Sequence, residues 1–217
     1  MTNVPDSNTL TESGMDLAQS AQGKVLLLAC GALAREILAI KDQAGLSHVD
    51  LTCLPAKYHN RPELIADGVE AAVLKHRENY EKIFVVYADC GTGGHLEARC
   101  EKLGVEMMTG PHCYAFFDGQ EVFAKNSEDE ITCFYLTDFI ARQFDTLIWK
   151  GLKLDKHPEL KDMFFGNYTK VVYMAQVEDP MLVERAKAAA DKLGLEFEMR
   201  LTGYGELADF VKMAGSA

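Results

Sequence analysis

Apolar positions in this chain fall into short unbroken runs, separated by segments with helical spacing. Lys24-Val25-Leu26-Leu27-Leu28-Ala29 runs into Cys30, and Ile83-Phe84-Val85-Val86-Tyr87-Ala88-Asp89 runs into Cys90. Unbroken apolar runs are what parallel strands covered on both faces require. Between them, Leu33, Ile37 and Leu38 recur at helical spacing, with Arg35 and Glu36 read as facing away. A strand is predicted over about Val49 to Leu54, a loop over 55–62 with a proline at each end, and a helix over about 62–77. After the strand at 83–89, Gly91-Thr92-Gly93-Gly94 reads as a tight turn into a helix over about 94–103, and a short strand covers 105–108.

Residues 114–130 read as irregular or hairpin-like, with a turn at Asp118-Gly119. Phe139, Phe144, Leu147 and Ile148 predict a long helix over about 134–150, followed by a loop over 151–168 with a short helix near 158–163. A strand from Lys170 to Gln176, a helix from Pro180 to Leu193 stopped by Gly194, a strand from Leu195 to Leu201 and a helix from Glu206 to Met213 complete the chain. Strands alternating with helices imply a Rossmann-like α/β fold: an open, mostly parallel sheet with helices on both faces. The C-terminal β-α-β-α run could extend the same sheet. Residues 1–22 read as a disordered or loosely attached tail, and 23–217 as one α/β domain, with lobes at about 23–130 and 131–217 as the alternative division.

Composition narrows the function. The chain has 217 residues, 48% hydrophobic and 25% charged, so it can bury a core without disulfide staples. The formal net charge of -11 gives it no general attraction to nucleic acid or anionic membranes. No run approaches the length of a membrane span, and the polar N-terminus lacks the pattern of a secretory signal. The expectation is a cytoplasmic protein with a small-molecule substrate, its six cysteines reduced, and a homo-oligomer as the common default.

In an open parallel sheet, ligands sit outside the carboxyl ends of the strands. Cys30 and Cys90 close two such strands, and Cys113 follows a third after Thr109-Gly110-Pro111-His112. The three could meet in one crevice as metal ligands, although each could equally be a small buried hydrophobe, and no Cys-x-x-Cys is present. Cys53, Cys100 and Cys133 read as packing residues, Cys133 near a helix start. His59, in the loop after the second strand, offers a fourth ligand or a proton-transfer group, and His112 suits acid–base work beside Cys113. His95 reads as an exposed first-turn residue, and His48, His76 and His157 as surface residues. Gly91, Gly93 and Gly94 precede a helix N-terminus whose free N–H groups could take an anionic cofactor or substrate and lower the pKa of Cys90. Arg61 could pair with a substrate carboxylate or with a surface acid, and Tyr204 and Glu206 could close the pocket, Glu206 in a catalytic role.

At these residues the sequence resembles a bacterial and archaeal domain family of unknown function, DUF1638. The resemblance is carried by Ala29-Cys30-Gly31-Ala32-Leu33, His59-Asn60-Arg61-Pro62-Glu63, Tyr87 to Gly94 and Gly110 to Cys113. Tyr135 to Phe139, Gly166-Asn167-Tyr168 and Thr202 to Leu207 carry it further. It implies that Cys30, His59, Cys90 and Cys113 form one set and assigns no reaction. Some relatives carry an acidic residue at the place of His112, which argues against it as a ligand.

The expected function is a metal-thiolate enzyme, zinc first, with an open coordination position and hydrolysis or thiol/methyl transfer as its reaction. The alternatives are an iron–sulfur enzyme with three cysteine ligands, a non-catalytic module that binds a metal or corrinoid, and a cofactor-free enzyme using two thiols as acid and base.

Overall fold

The computed structural model describes residues 4–16 and 24–217. They form two compact units: Met1–Cys113 with Glu206–Ala217, and Tyr114–Gly205. Each has its own parallel sheet flanked by helices, so the fold is the expected Rossmann-like α/β class. The C-terminal strands do not extend the first sheet; they form a second one.

In unit 1, the strands β1 (Val25–Cys30), β2 (Val49–Leu54), β3 (Lys82–Val86) and β4 (Glu106–Met107) lie in the order β2-β1-β3-β4. Every residue of β1 is buried, as its unbroken apolar run requires. Burying each of Leu26, Leu27 and Leu28 contributes roughly 1.5–3 kcal/mol. The chain runs outward from β1 to β2 and then returns to lay β3 on the other side of β1. Strand order reverses at the β1–β3 junction, the place where open α/β sheets present a crevice.

The first four α-helices of this unit are α1 (Ser7–Glu12), α2 (Ala34–Gln43), α3 (Ile65–His76) and α4 (His95–Leu103). Two burial expectations change here. Glu36 of α2 and His76 of α3 are both buried rather than surface-facing. The described part of the N-terminal segment is also not a loose tail. Asp6 caps α1 by accepting from Asn8 and Thr9, Leu10 and Thr11 are buried, and Met15 bridges Cys53 through two backbone hydrogen bonds. Residues 1–3 and 17–23 lie outside the described set.

Unit 2 holds α5 (Ala115–Asp118), α6 (Gln120–Asn126), β5 (Cys133–Thr137), α7 (Asp138–Gln143), α8 (Lys161–Phe165), β6 (Lys170–Ala175), α9 (Pro180–Leu193) and β7 (Glu196–Leu201). Its sheet order is β5-β6-β7. The segment expected to be irregular is two short helices, broken at Gly119, whose φ is 89°. The predicted long helix starts too early: Cys133-Phe134-Tyr135-Leu136-Thr137 is rich in aromatic and β-branched residues and pairs with β6 as a strand. Thr137 then caps α7 by accepting from the Ile140 N–H, and Phe144–Lys150 continues as a π-helix. Cys133 therefore opens a strand, not a helix. The last helix, α10 (Gly205–Gly215), returns the chain to unit 1 from Glu206 on, and there Phe210 packs edge-on against Phe84 of the same unit at 6.1 Å.

Candidate functional site

The site is assembled by an extension of β3. Beyond Val86, Tyr87 and Ala88 remain buried and the backbone continues to pair: Asp89 N–H donates to Gly110 O and Cys90 N–H to Pro111 O, both at 2.9 Å. This pairing folds the loop after β4 back along β3 and carries Cys113 to Cys90. The two sulfurs lie 3.1 Å apart, and both residues are partly exposed. Cys90 has φ 47°, a left-handed conformation that costs an ordinary residue about 1–2 kcal/mol. The backbone bond to Pro111 and the turn that follows hold it there.

The turn is fixed by Asp89. Its carboxylate accepts from the N–H groups of Gly91, Gly93 and Gly94 and from the Thr92 hydroxyl, at 2.6–3.2 Å. Gly93 and Gly94 have φ 63° and 83°, which a side chain would oppose. The expected anion cradle of Gly91, Gly93 and Gly94 is thus already filled by the protein's own carboxylate. Burial pushes the Asp89 carboxyl up, but these four donors outweigh it and leave its pKa below the usual range.

The thiol pair is electrically asymmetric. Donation by Cys113 outweighs burial and lowers the Cys90 pKa, while the same bond and burial raise that of Cys113. Cys90 is therefore the more acidic thiol of the pair. The sulfur of Cys113 is the first cause of this lowering.

Cys30, at the end of β1, is buried, and desolvation pushes its thiol up to about 12, with the Cys90 charge acting the same way. Tyr87 is 1% exposed. Its hydroxyl lies beside the Cys30 sulfur, within electrostatic reach of Cys113, and meets no partner at full hydrogen-bond geometry among the described residues. Sequence reasoning missed Tyr87 because it reads as one more large residue of an apolar run. The register could have flagged it, since Ala29 pairs with Val86 and the next position sets Cys30 level with Tyr87.

His59 and His112 interact with each other, and His112 also feels Asp89. His59 is exposed as a residue, yet crowding around its ring lowers its pKa, and the nearby His112 adds to the shift. Burial likewise lowers His112. Both are neutral imidazoles at neutral pH.

The remaining candidates have other surroundings or lie on other elements. Arg61 pairs with Glu63 on the surface. Glu206 lies in the first turn of the helix α10. Tyr204 belongs to unit 2. His95 is exposed, His157 pairs with Glu159, and His48 bonds the Gly215 carbonyl at 2.7 Å. Cys53, Cys100 and Cys133 are buried, as packing residues should be. A groove of about 580 Å³ opens between α3 and α4 against Gly91 and Thr92, but neither sulfur lines it.

A metal would need donors at suitable spacing. Among the described residues, no group of three or more His, Cys, Asp or Glu side chains is disposed to hold an ion. Two thiolates at ~2.3 Å from a tetrahedral zinc stand about 3.8 Å apart, so the 3.1 Å pair is too close as it stands. The donor chemistry suits a soft ion; the arrangement does not.

A family profile described as "Protein of unknown function (DUF1638)" matches residues 53–211. The chain belongs to this family. The DUF1638 match takes in His59, Gly91, Gly93, Gly94, Cys90, His112, Cys113 and Glu206, whereas Cys30 precedes it. No curated protein matches the chain. Among the described residues no helix is long and apolar enough to cross a membrane.

Proposed function

We propose that the chain is an enzyme acting on a small molecule through a thiolate–thiol pair, with Cys90 as nucleophile or base and Cys113 as proton donor. The observation that carries this is the 3.1 Å approach of the sulfurs of two partly exposed residues beyond the carboxyl ends of β3 and β4. A sulfur anion beside a ready proton donor can attack an electrophilic centre, or take a proton on one side while its neighbour gives one on the other. The neutral imidazoles of His59 and His112 are suited to pass protons between the pair and solvent. Tyr87 and Cys30, held behind the pair, keep its inner side free of water.

Thiol alkylation across pH tests this reading. Cys90 should be labelled first, with an apparent pKa below the ordinary cysteine value. Cys113→Ala should bring that pKa back up and slow labelling at neutral pH, by about threefold for each unit regained once the higher nucleophilicity of the more basic thiolate is counted. Cys90→Ala should abolish the fast phase without unfolding the protein. Equal labelling rates at Cys90 and Cys113 in the native protein would refute the assignment.

A zinc-thiolate centre is the second reading, favoured by the third sulfur, that of Cys30, which lies within electrostatic reach of Cys90. Cys30, Cys90 and Cys113 would hold the ion, whose chemistry would be that of a Lewis acid, and the pair would have to open to admit it. Elemental analysis of protein purified without chelators decides between the two: a stoichiometric metal lost on Cys30→Ala supports this second reading.

A further inference from the structure

Building on the thiolate reading, we propose that the substrates of this site are low-molecular-weight disulfides, neutral or cationic, which the Cys90–Cys113 pair reduces while closing into a disulfide of its own. Three observations carry the step. The sulfurs already stand 3.1 Å apart, so bond formation needs an approach of about 1 Å. Both residues are partly exposed, so a small disulfide can reach them. The backbones that bear them are tied together by Cys90 N–H to Pro111 O and Asp89 N–H to Gly110 O, so the two sulfurs are held as neighbours without distant motion.

The charge preference follows from the rim. The Asp89 carboxylate occupies the turn beside Cys90, and its four donors are turned inward on it. The chain as a whole carries a formal charge of -11. An anionic disulfide is repelled on approach; a cationic one is not.

The exchange balances as follows. The Cys90 sulfur attacks one sulfur of R–S–S–R; that bond breaks and the first RS⁻ leaves, taking up a proton. Cys113 gives up its proton, and its sulfur attacks the Cys90 sulfur of the mixed disulfide, expelling the second RS⁻. Counted from the thiolate–thiol form, the protein has then lost two electrons and the one proton of Cys113; of the two RS⁻ released, one takes that proton and the other takes one from solvent, so the disulfide has become two thiols. Cys30, buried and hard to ionise, takes no part.

The test uses the full chain, reduced and freed of reductant, with cystamine as the probe and oxidised glutathione as its anionic counterpart. Mass spectrometry after acid quenching should show a Cys90–Cys113 cross-link and release of two cysteamines per chain, formed several-fold faster than with oxidised glutathione. Cys113→Ala should stall as a stable cysteamine adduct on Cys90, and Cys100→Ala should behave as wild type. If alkylation is selective for Cys90 but neither disulfide closes the pair, the inference falls and the thiolate reading stands. If Cys90 shows no selective reactivity at all, both fall. A cross-link joining other cysteines, or an equal rate with both probes, overturns the assignment of residues or of charge respectively.

Discussion

Two carboxylates, one in each unit, show how differently the strand ends of the two sheets are finished. Asp89 of unit 1 follows β3, and Asp138 of unit 2 follows β5. Both accept several hydrogen bonds. Asp89 takes four donors in a partly exposed turn, and its pKa falls. Asp138 is 1% exposed and accepts from the Tyr173 hydroxyl at 2.7 Å and the Gln176 N–H at 3.1 Å, while its own N–H donates to the Gln176 side chain. There burial wins over the donors and its pKa rises. The unit 2 cluster is closed around itself: Gln176 also reaches the Met174 carbonyl at 2.5 Å. Unit 1 closes its turn in the same way but leaves two partly exposed cysteines in contact and, among the described residues, a tyrosine hydroxyl without a full partner. A buried polar group that is fully paired speaks for architecture; one left open beside reactive sulfur speaks for chemistry.

The sharpest way to break this contrast is Asp138→Ala. It removes an acceptor that Tyr173 and Gln176 both need in the dry interior, and should cost about 3 kcal/mol of stability. Denaturant unfolding measures the cost, and Cys90 labelling of the still-folded fraction should be unchanged. A parallel loss of labelling would show that the unit 2 cluster serves the thiols after all.

Asp89→Asn should cost less, about 1–2 kcal/mol, because part of its turn is solvated and one acceptor oxygen remains. Its sign with pH differs from that of Asp138. Asp89 binds its proton more weakly folded than unfolded, so its stabilisation is complete above the ordinary carboxylate value of 3.8 and lost as pH falls through the lower folded value. Asp138 binds its proton more tightly when folded, so its cost appears as pH rises from 3.8 through the raised value. The stability gap between wild type and Asp89→Asn should therefore shrink on acidification. A gap that widens would mean that the carboxylate is not held as a charged cap.

The smallest effect is expected from Cys100→Ala. This side chain is buried on α4, away from the pair, and its thiol is pushed up to about 11 by desolvation. Its removal should leave Cys90 labelling unchanged and shift the melting temperature by a few degrees at most. A changed labelling rate would tie α4 packing to the site.

Much of the framework was legible in the sequence because local pattern and tertiary burial agree there. The runs at 25–30 and 49–54 and the helix from Pro180 to Gly194 fall where their apolar spacing, proline and glycine put them. Residues 134–137 were not legible as a strand because the helical spacing of Phe139, Phe144 and Leu147 runs on from them without a break in polarity. Only the pairing with β6, a long-range event, separates the two. At the site, the meeting of Cys90 and Cys113 follows from strand-end logic. The filling of the glycine turn does not, because it depends on Asp89 folding its side chain forward over the next five residues. The burial of Glu36 and His76 has no signature in period or composition.

That forward fold of Asp89 has a consequence for evolution at this rim. Glycine-rich turns at the head of a helix are common receptacles for phosphoryl groups, and this one is occupied from within. Replacing Asp89 with a small neutral residue would vacate the receptacle while leaving the sulfur next door, and so could convert a thiol centre into one that docks phosphorylated metabolites.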